Sequence, residues 1–221
     1  MLILCLHDVV ASDPSSPWAV TEREIDAILT RYRERDYVLA TLDDLPHAPE
    51  RSIAVTVDDG RSGALSWLLR SAPDLGLSAT AFIVPGWIDD PAGIPDAERY
   101  SEFSTWDEVA LLLDAGHSVG SHSQTHVRLP GLAEDALRYE LRHSRTSIMR
   151  RAGIAARHFA APYGRIDSLV VEAAWDAGYA TVDSTVPGLN TDHERRSRVL
   201  KRTVLRRDRP NLGLADWEAG R

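Results

Sequence analysis

The chain of 221 residues is 43% hydrophobic and 26% charged, which suits one domain with a full-sized core, although length alone also admits two small ones. Lys and Arg total 25 against 33 Asp and Glu, and the formal net charge of -8 disfavours a nucleic-acid partner while leaving small molecules and sugars open. Cys5 is the single cysteine, which excludes an intrachain disulfide and a thiolate metal cage.

The opening "MLILCL" is a first strand candidate. It is too short for a signal-peptide core, has no basic lead-in and runs directly into "HDVV". No later segment reaches the roughly 20 apolar residues of a membrane span, so the expectation is a cytoplasmic protein without a membrane partner. Downstream, short β-branched or apolar runs alternate with amphipathic stretches: "TEREIDAILTRYRE", "YVLATL", "IAVTV", "SGALSWLLRSA", "SATAFIVP", "TWDEVALLLDAG", "HSVGSH", "LAEDALRYELRHSRTSIMRRAG", "HFAAPYG", "IDSLVVEAAWDAG", "YATVDS" and finally "RVLKRTVL". That alternation predicts βα units around a parallel sheet or barrel, in one domain over 1–205 with a tail over 206–221. Thr21 with Glu24 and Thr105 with Glu108 have capping-box spacing, and Gly116, Gly153 and Gly178 stand where helix-terminating glycines are expected. Residues 87–104, rich in Pro, Asp and Gly, read as one long loop.

In a parallel barrel the reactive residues sit just past the carboxyl ends of the strands. Of the three Asp-Asp pairs, Asp58-Asp59 closes a β-branched run, whereas Asp43-Asp44 and Asp89-Asp90 read as turns. Gly60 lets the backbone bend so that the two carboxylates diverge, one free to bind a metal and the other to face a substrate. In "GSHSQTH", His122 and His126 are four apart, a spacing that brings two imidazoles to one side of a helical turn. Zinc peptidases of the His-Glu-x-x-His type carry a glutamate where this chain has Ser123, which argues against that chemistry. Joined to a post-strand Asp, the histidines give two nitrogens and one oxygen with room for water, the ligand set of a catalytic zinc. "FAAPYG" closes a third strand. Pro162 lacks an N–H while Tyr163 and Gly164 have theirs, so this turn can aim a backbone donor at an oxyanion.

In this order the motifs resemble those of the polysaccharide deacetylases, the family-four carbohydrate esterases. "TVDDG" is similar to that family's Thr-Phe-Asp-Asp-Gly, "SHSQTH" to its His-Ser/Thr-x-x-His and "FAAPYG" to its Arg-x-Pro-Tyr/Phe-Gly, and the likeness runs from Leu2 to about Leu205. The resemblance implies a distorted (β/α) barrel with fewer than eight complete units, one divalent metal ion, and hydrolysis of an acetyl group. Zinc is the first expectation for the metal, with cobalt or nickel as alternatives. The implied substrate is an acetylated amino sugar, either a small conjugate or an oligosaccharide. Carried over by position, Asp58 is the general base, Asp59, His122 and His126 are the metal ligands, and the Tyr163 backbone N–H is an oxyanion donor.

Two departures stand out. Ala160 occupies the place of the arginine that orients the catalytic Asp, and "VLKRTVL" holds Lys201 and Arg202 where the family's late Leu-x-His supplies a general acid. Arg202 becomes a candidate to orient Asp58. His7, following the first strand, is the candidate acid by the strand-end rule. His193 reads as a loop residue and His158 as packed. Trp87 and Trp106 flank the long loop and have faces suited to a sugar ring. His7, Trp87, Pro162 and Arg202 are therefore the expected substrate-side residues. An O-acetyl esterase and a cyclic-amide hydrolase compete on the same barrel, as does a catalytically silent sugar binder. The retained histidines oppose the cyclic-amide reading, and Asp58 opposes the silent one.

Overall fold

The computed structural model describes residues 1–12, 16–45 and 47–207. Along them run β1 (Leu2–Leu6), β2 (Asp8–Val10), β3 (Ala19–Thr21), α1 (Glu22–Arg33), β4 (Val38–Leu39), β5 (Ser52–Val57), α2 (Ser62–Leu75), β6 (Thr80–Ile83), α3 (Pro85–Asp89), α4 (Trp106–Asp114), β7 (Ser118–Ser121), α5 (Glu134–Ala152), β8 (His158–Ala160), α6 (Ser168–Asp176), β9 (Thr181–Asp183), α7 (Asp192–Ser197), β10 (Val199–Leu200) and β11 (Thr203–Val204). The main sheet has the order β10-β9-β8-β7-β6-β5-β1-β11, with β4 beside the start of β5, and every pairing in it is parallel. It curls into a distorted barrel wrapped by helices, as the sequence predicts.

Residues of β1 and β5 are buried along their whole length, because one face packs inside the barrel and the other against helices. Ile3, Ala54, Phe82, Ala160 and Leu200 fill the interior. Leu4 and Val55 meet Leu29 of α1 and Leu68 of α2 outside. The capping boxes at Thr21 and Thr105 are formed, and Gly153 ends α5 in the left-handed conformation at φ 73.

Three features differ from the sequence reading. "RVLKRTVL" is not one strand. β10 lies on one edge of the sheet and β11 on the other, and the step Lys201-Arg202 carries the chain between them. The Asn190 side chain explains the break: its amide donates to the Lys201 carbonyl at 2.8 Å and accepts from the Lys201 N–H at 2.9 Å, taking the groups that a continuing ladder would use. The segment over 87–104 begins inside α3, since Pro85 suits a first helical turn, and Asp90 then caps a short 3-10 turn through the Ala92 N–H. β2 and β3 form a separate parallel pair that the sequence pattern did not announce. Within the expected tail, the Arg207 N–H donates to the Pro17 carbonyl at 3.0 Å, and residues 208–221 lie outside the described residues. No helix among the described residues is long and apolar enough to cross a membrane.

Candidate active site

β5 ends at Val57, and the two carboxylates that follow part company. Asp58 continues the ladder, its N–H bonded to the Leu6 carbonyl at 2.8 Å. Asp59 already turns, at φ 70, one residue before Gly60 at φ 72. A left-handed non-glycine residue costs of order 1–3 kcal/mol, and the bend thus begins at the carboxylate itself rather than at the glycine beside it. Asp58 points to Arg202, which grips it with Nη1 to Oδ1 at 2.6 Å and Nη2 to Oδ2 at 2.7 Å. The guanidinium also donates to the Ser184 carbonyl and to Thr56 Oγ1. It is 0% exposed and lies inside the barrel at the closure between β10 and β11, so it is a partner of Asp58 and not a substrate-side residue. Burial resists ionisation of Asp58, but Arg202 and then His122 outweigh it and hold the carboxyl well below the usual range. Cys5 of β1 donates its thiol to Asp58 Oδ2 at 3.3 Å. Burial keeps that thiol well above its ordinary pKa, which makes it an inert donor.

Asp59 faces the histidines. Its Oδ1 lies 3.5 Å from His122 Nε2 and 3.4 Å from His126 Nε2. The histidines converge without a helix: Ser123 at φ 63 and His126 at φ 60 fold residues 122–126 into a tight loop, and Ser123 Oγ accepts from the His126 N–H. Glu140 of α5 fixes that loop by accepting from the Gln124 and Thr125 N–H groups, both at 2.9 Å, and from the Thr125 hydroxyl. His122 Nδ1 is 2.8 Å from the Ala160 carbonyl, an acceptor that makes Nδ1 the protonated nitrogen and turns the lone pair of Nε2 toward Asp59. Burial takes His126 down to about 3 against the pull of Asp59, so its imidazole is neutral and able to ligate.

The donor set fits a divalent cation. Asp59 Oδ1 is buried and accepts no hydrogen bond from the described residues, although an anionic oxygen in such a place needs a partner. The nearest candidates for that partner are two ring nitrogens, and the ligand atoms of Asp59, His122 and His126 all lie within 4.8 Å of one another. Two imidazoles and one carboxylate with positions to spare form the pattern of a catalytic zinc site.

A cavity of about 350 Å³ opens over these groups. Tyr163, 51% exposed and at φ 59, stands on one side, with Gly164 beside it. His7 is on the wall, tilted against Trp18 at 4.8 Å, with Nδ1 buried and unpartnered. Burial lowers its pKa, against the pull of Asp59 and Asp58. Besides Arg202, two more expected substrate-side residues are elsewhere. Trp87 is 3% exposed and packs between Phe103 and the His126 ring, where the α3 backbone puts it, so it braces a candidate ligand instead of lining the cavity. Pro162 is buried under the turn. Trp106 donates its Nε1–H to Asp89, away from the cavity. His193 sits exposed in the first turn of α7, and His158 is buried between Thr181 and Asp43. Arg61, Glu98, Tyr100 and Glu140 escaped the sequence reading. Arg61 had a signal, standing two residues past Asp59. Glu140 had a fainter one, sharing a buried stripe of α5 with Leu137, Leu141 and Ser144.

A family model described as polysaccharide deacetylase matches residues 36–182, well over half of the chain. The chain belongs to the polysaccharide deacetylase family. A chitin deacetylase from a Pestalotiopsis species is 22% identical over 144 residues, which span 65% of this chain and 44% of that protein, under half its length. Among solved structures, a de-N-acetylase from Aggregatibacter actinomycetemcomitans superposes with TM-score 0.82 at 18% identity, covering 99% of this chain and 98% of that one. IcaB from Ammonifex degensii gives TM-score 0.82 at 19% identity, with 95% and 93% covered. At these identities the structural likeness speaks for the fold. Ala160 stands in place of the family's motif arginine, and Arg202 reaches Asp58 from across the barrel closure.

Proposed function

We propose that this chain is a metal-dependent hydrolase that removes the N-acetyl group from acetylated amino sugars. The observation that carries the reading is the divergence at β5: Asp58 held ionised by Arg202 stands 3.9 Å from His122 Nε2, next to a buried Asp59 oxygen that two ring nitrogens approach. Asp59, His122 and His126 would hold a divalent cation, which when bound would supply Lewis acidity toward an acetyl carbonyl and acidify water there toward a pKa of roughly 7. Asp58 accepts the proton from attacking water. It stays ionised because two charge-assisted hydrogen bonds from Arg202 stabilise the carboxylate, which borders the cavity.

The turn at 161–164 provides the oxyanion donor. Pro162 has no N–H, and that of Gly164 is bonded to the Ala161 carbonyl at 2.8 Å, so the Tyr163 amide is the donor left for the developing negative oxygen. His7, also on the cavity wall, is the candidate to hand a proton to the leaving amine, the role for which the late family histidine is missing. The Arg202 cradle weighs against a silent sugar binder, because a barrel that only binds has no use for a buried guanidinium that keeps a carboxylate ionised beside a cation site.

Acetate release from a panel of acetylated amino sugars, chitin oligomers and O-acetylated sugars, with chelator and then with zinc, cobalt or nickel restored, tests the reading. Acetate from acetamido substrates only, dependent on metal, is expected. Release from O-acetyl substrates alone identifies an esterase, and no release from any substrate with metal bound refutes the hydrolase reading.

A further inference from the structure

Arg61 follows the Asp58-Asp59-Gly60 turn and is fully buried, and its guanidinium joins two structures. On one side its Nε donates to Asp59 Oδ2 at 3.2 Å. On the other, Nη1 donates to the Glu98 carbonyl at 2.9 Å and to Ser101 Oγ at 3.1 Å, and Nη2 donates to Glu98 Oε2 at 2.8 Å. The guanidinium face lies 3.8 Å from the Tyr100 ring centroid and 4.6 Å from that of Phe103. The main chain repeats the connection: Arg61 and Phe103 form an antiparallel bridge, Ser62 N–H donates to Glu102, and Ser104 N–H donates to Gly60. Glu98 and Tyr100 are walls of the cavity.

We propose that Arg61 is a positioning residue that joins the ligand carboxylate Asp59 to the Glu98–Tyr100 wall, so that the cation site and the sugar wall form one mechanical unit. This rests on the metal-dependent deacetylase reading. Two consequences follow from the geometry. Because Oδ2 is held by Arg61, Asp59 presents a single oxygen, Oδ1, to a cation, which leaves positions for water and for the acetyl oxygen. Because the same rigid fork holds Glu98 by both backbone and side chain, a change in the wall reaches Asp59 through Arg61. A lysine cannot replace it, since one ammonium does not span both partners.

The test compares wild type, Arg61→Gln, Arg61→Lys, Glu98→Gln and the Arg61→Gln/Glu98→Gln pair by zinc competition titration and by the visible spectrum of the cobalt(II)-loaded proteins, followed by kcat and KM. Arg61→Gln is expected to weaken zinc binding roughly 10- to 100-fold, the usual effect of losing a group that orients a ligand. Its cobalt bands should lose intensity as the freed Oδ2 raises the coordination number. KM should rise more than kcat falls. Glu98→Gln should weaken zinc in the wild-type background and have little further effect in Arg61→Gln, because the coupling passes through the guanidinium. Fully additive effects on zinc affinity, which simple loss of a nearby charge gives, overturn the proposal, as does an unchanged cobalt spectrum in Arg61→Gln. If Arg61→Gln does not fold, Arg61→Lys decides: retained cobalt intensity and zinc affinity refute the positioning role, and a loss of both supports it. A wild-type protein that binds none of these ions fails the underlying reading instead, whereas normal wild-type binding with unaltered variants fails this inference alone.

Discussion

The Arg202–Asp58 pair supports a quantitative prediction. Both side chains are sealed in the barrel, at 0% and 2% exposure, and meet through two bonds of 2.6 and 2.7 Å. Replacing Arg202 with Met keeps the length of the side chain and its packing near Phe82, but leaves the Asp58 carboxylate buried without its cation. Removing one partner of a buried pair costs about 3–5 kcal/mol, because the uncompensated charge remains. For a chain of this size each kcal/mol moves Tm by roughly 2–4 °C, so a fall of about 6–20 °C is expected. The double variant Arg202→Met/Asp58→Asn removes the stranded charge and should regain most of that loss, since the two residues act as a unit. Urea unfolding of wild type, both single variants and the double variant, at neutral pH with chelator present so that no cation contributes, measures the coupling. If Arg202→Met is as stable as the double variant, the carboxylate is not stranded by loss of the guanidinium and the reasoning fails.

Gly164→Ala should destabilise by about 2–5 kcal/mol, because a Cβ there sits 1.9 Å from Thr185 Oγ1 and 2.6 Å from the Thr185 nitrogen at φ 63, whereas Gly116→Ala, at φ 85 with nothing within 4 Å, should cost only about 1–2 kcal/mol; paired thermal melts compare them. Glu140→Ala removes the acceptor for two backbone N–H groups of the 122–126 loop and should weaken zinc binding roughly 10- to 100-fold in a competition titration, with the secondary structure intact by circular dichroism. Burial opposes the charge on Glu194, but bonds from Lys201 and Thr191 bring its carboxyl down to about 2. A lowered folded-state pKa contributes stability that is present above the unfolded value and lost as pH falls through the folded one. The stability gap between wild type and Glu194→Gln in urea melts should therefore be full near neutrality and shrink between about pH 4.5 and 2.

The sequence by itself determined the architecture and most of the candidate chemistry. Short β-branched or apolar runs such as "LILCL" and "IAVTV", alternating with amphipathic helices, leave a parallel sheet covered on both sides as the consistent outcome. Asp58, Asp59, His122 and His126 were legible because short motifs at strand ends are local features, and local features survive in one dimension. Tertiary structure decided which groups act on one another. Arg202 reaches Asp58 across 144 residues because β10 and β11 lie on opposite edges of a closing sheet, a fact set by Asn190 and by curvature and not by any pattern in "RVLKRTVL". Trp87 looked available to a sugar and is buried, since a proline-initiated turn rotates it behind His126. Arg61, Glu98 and Glu140 carry no periodic or motif signal strong enough to single them out: Arg61 and Glu140 are charged residues whose burial becomes favourable only when partners arrive from distant segments, Glu98 for Arg61 and the 124–125 backbone for Glu140, and that pairing energy exists only in the folded chain.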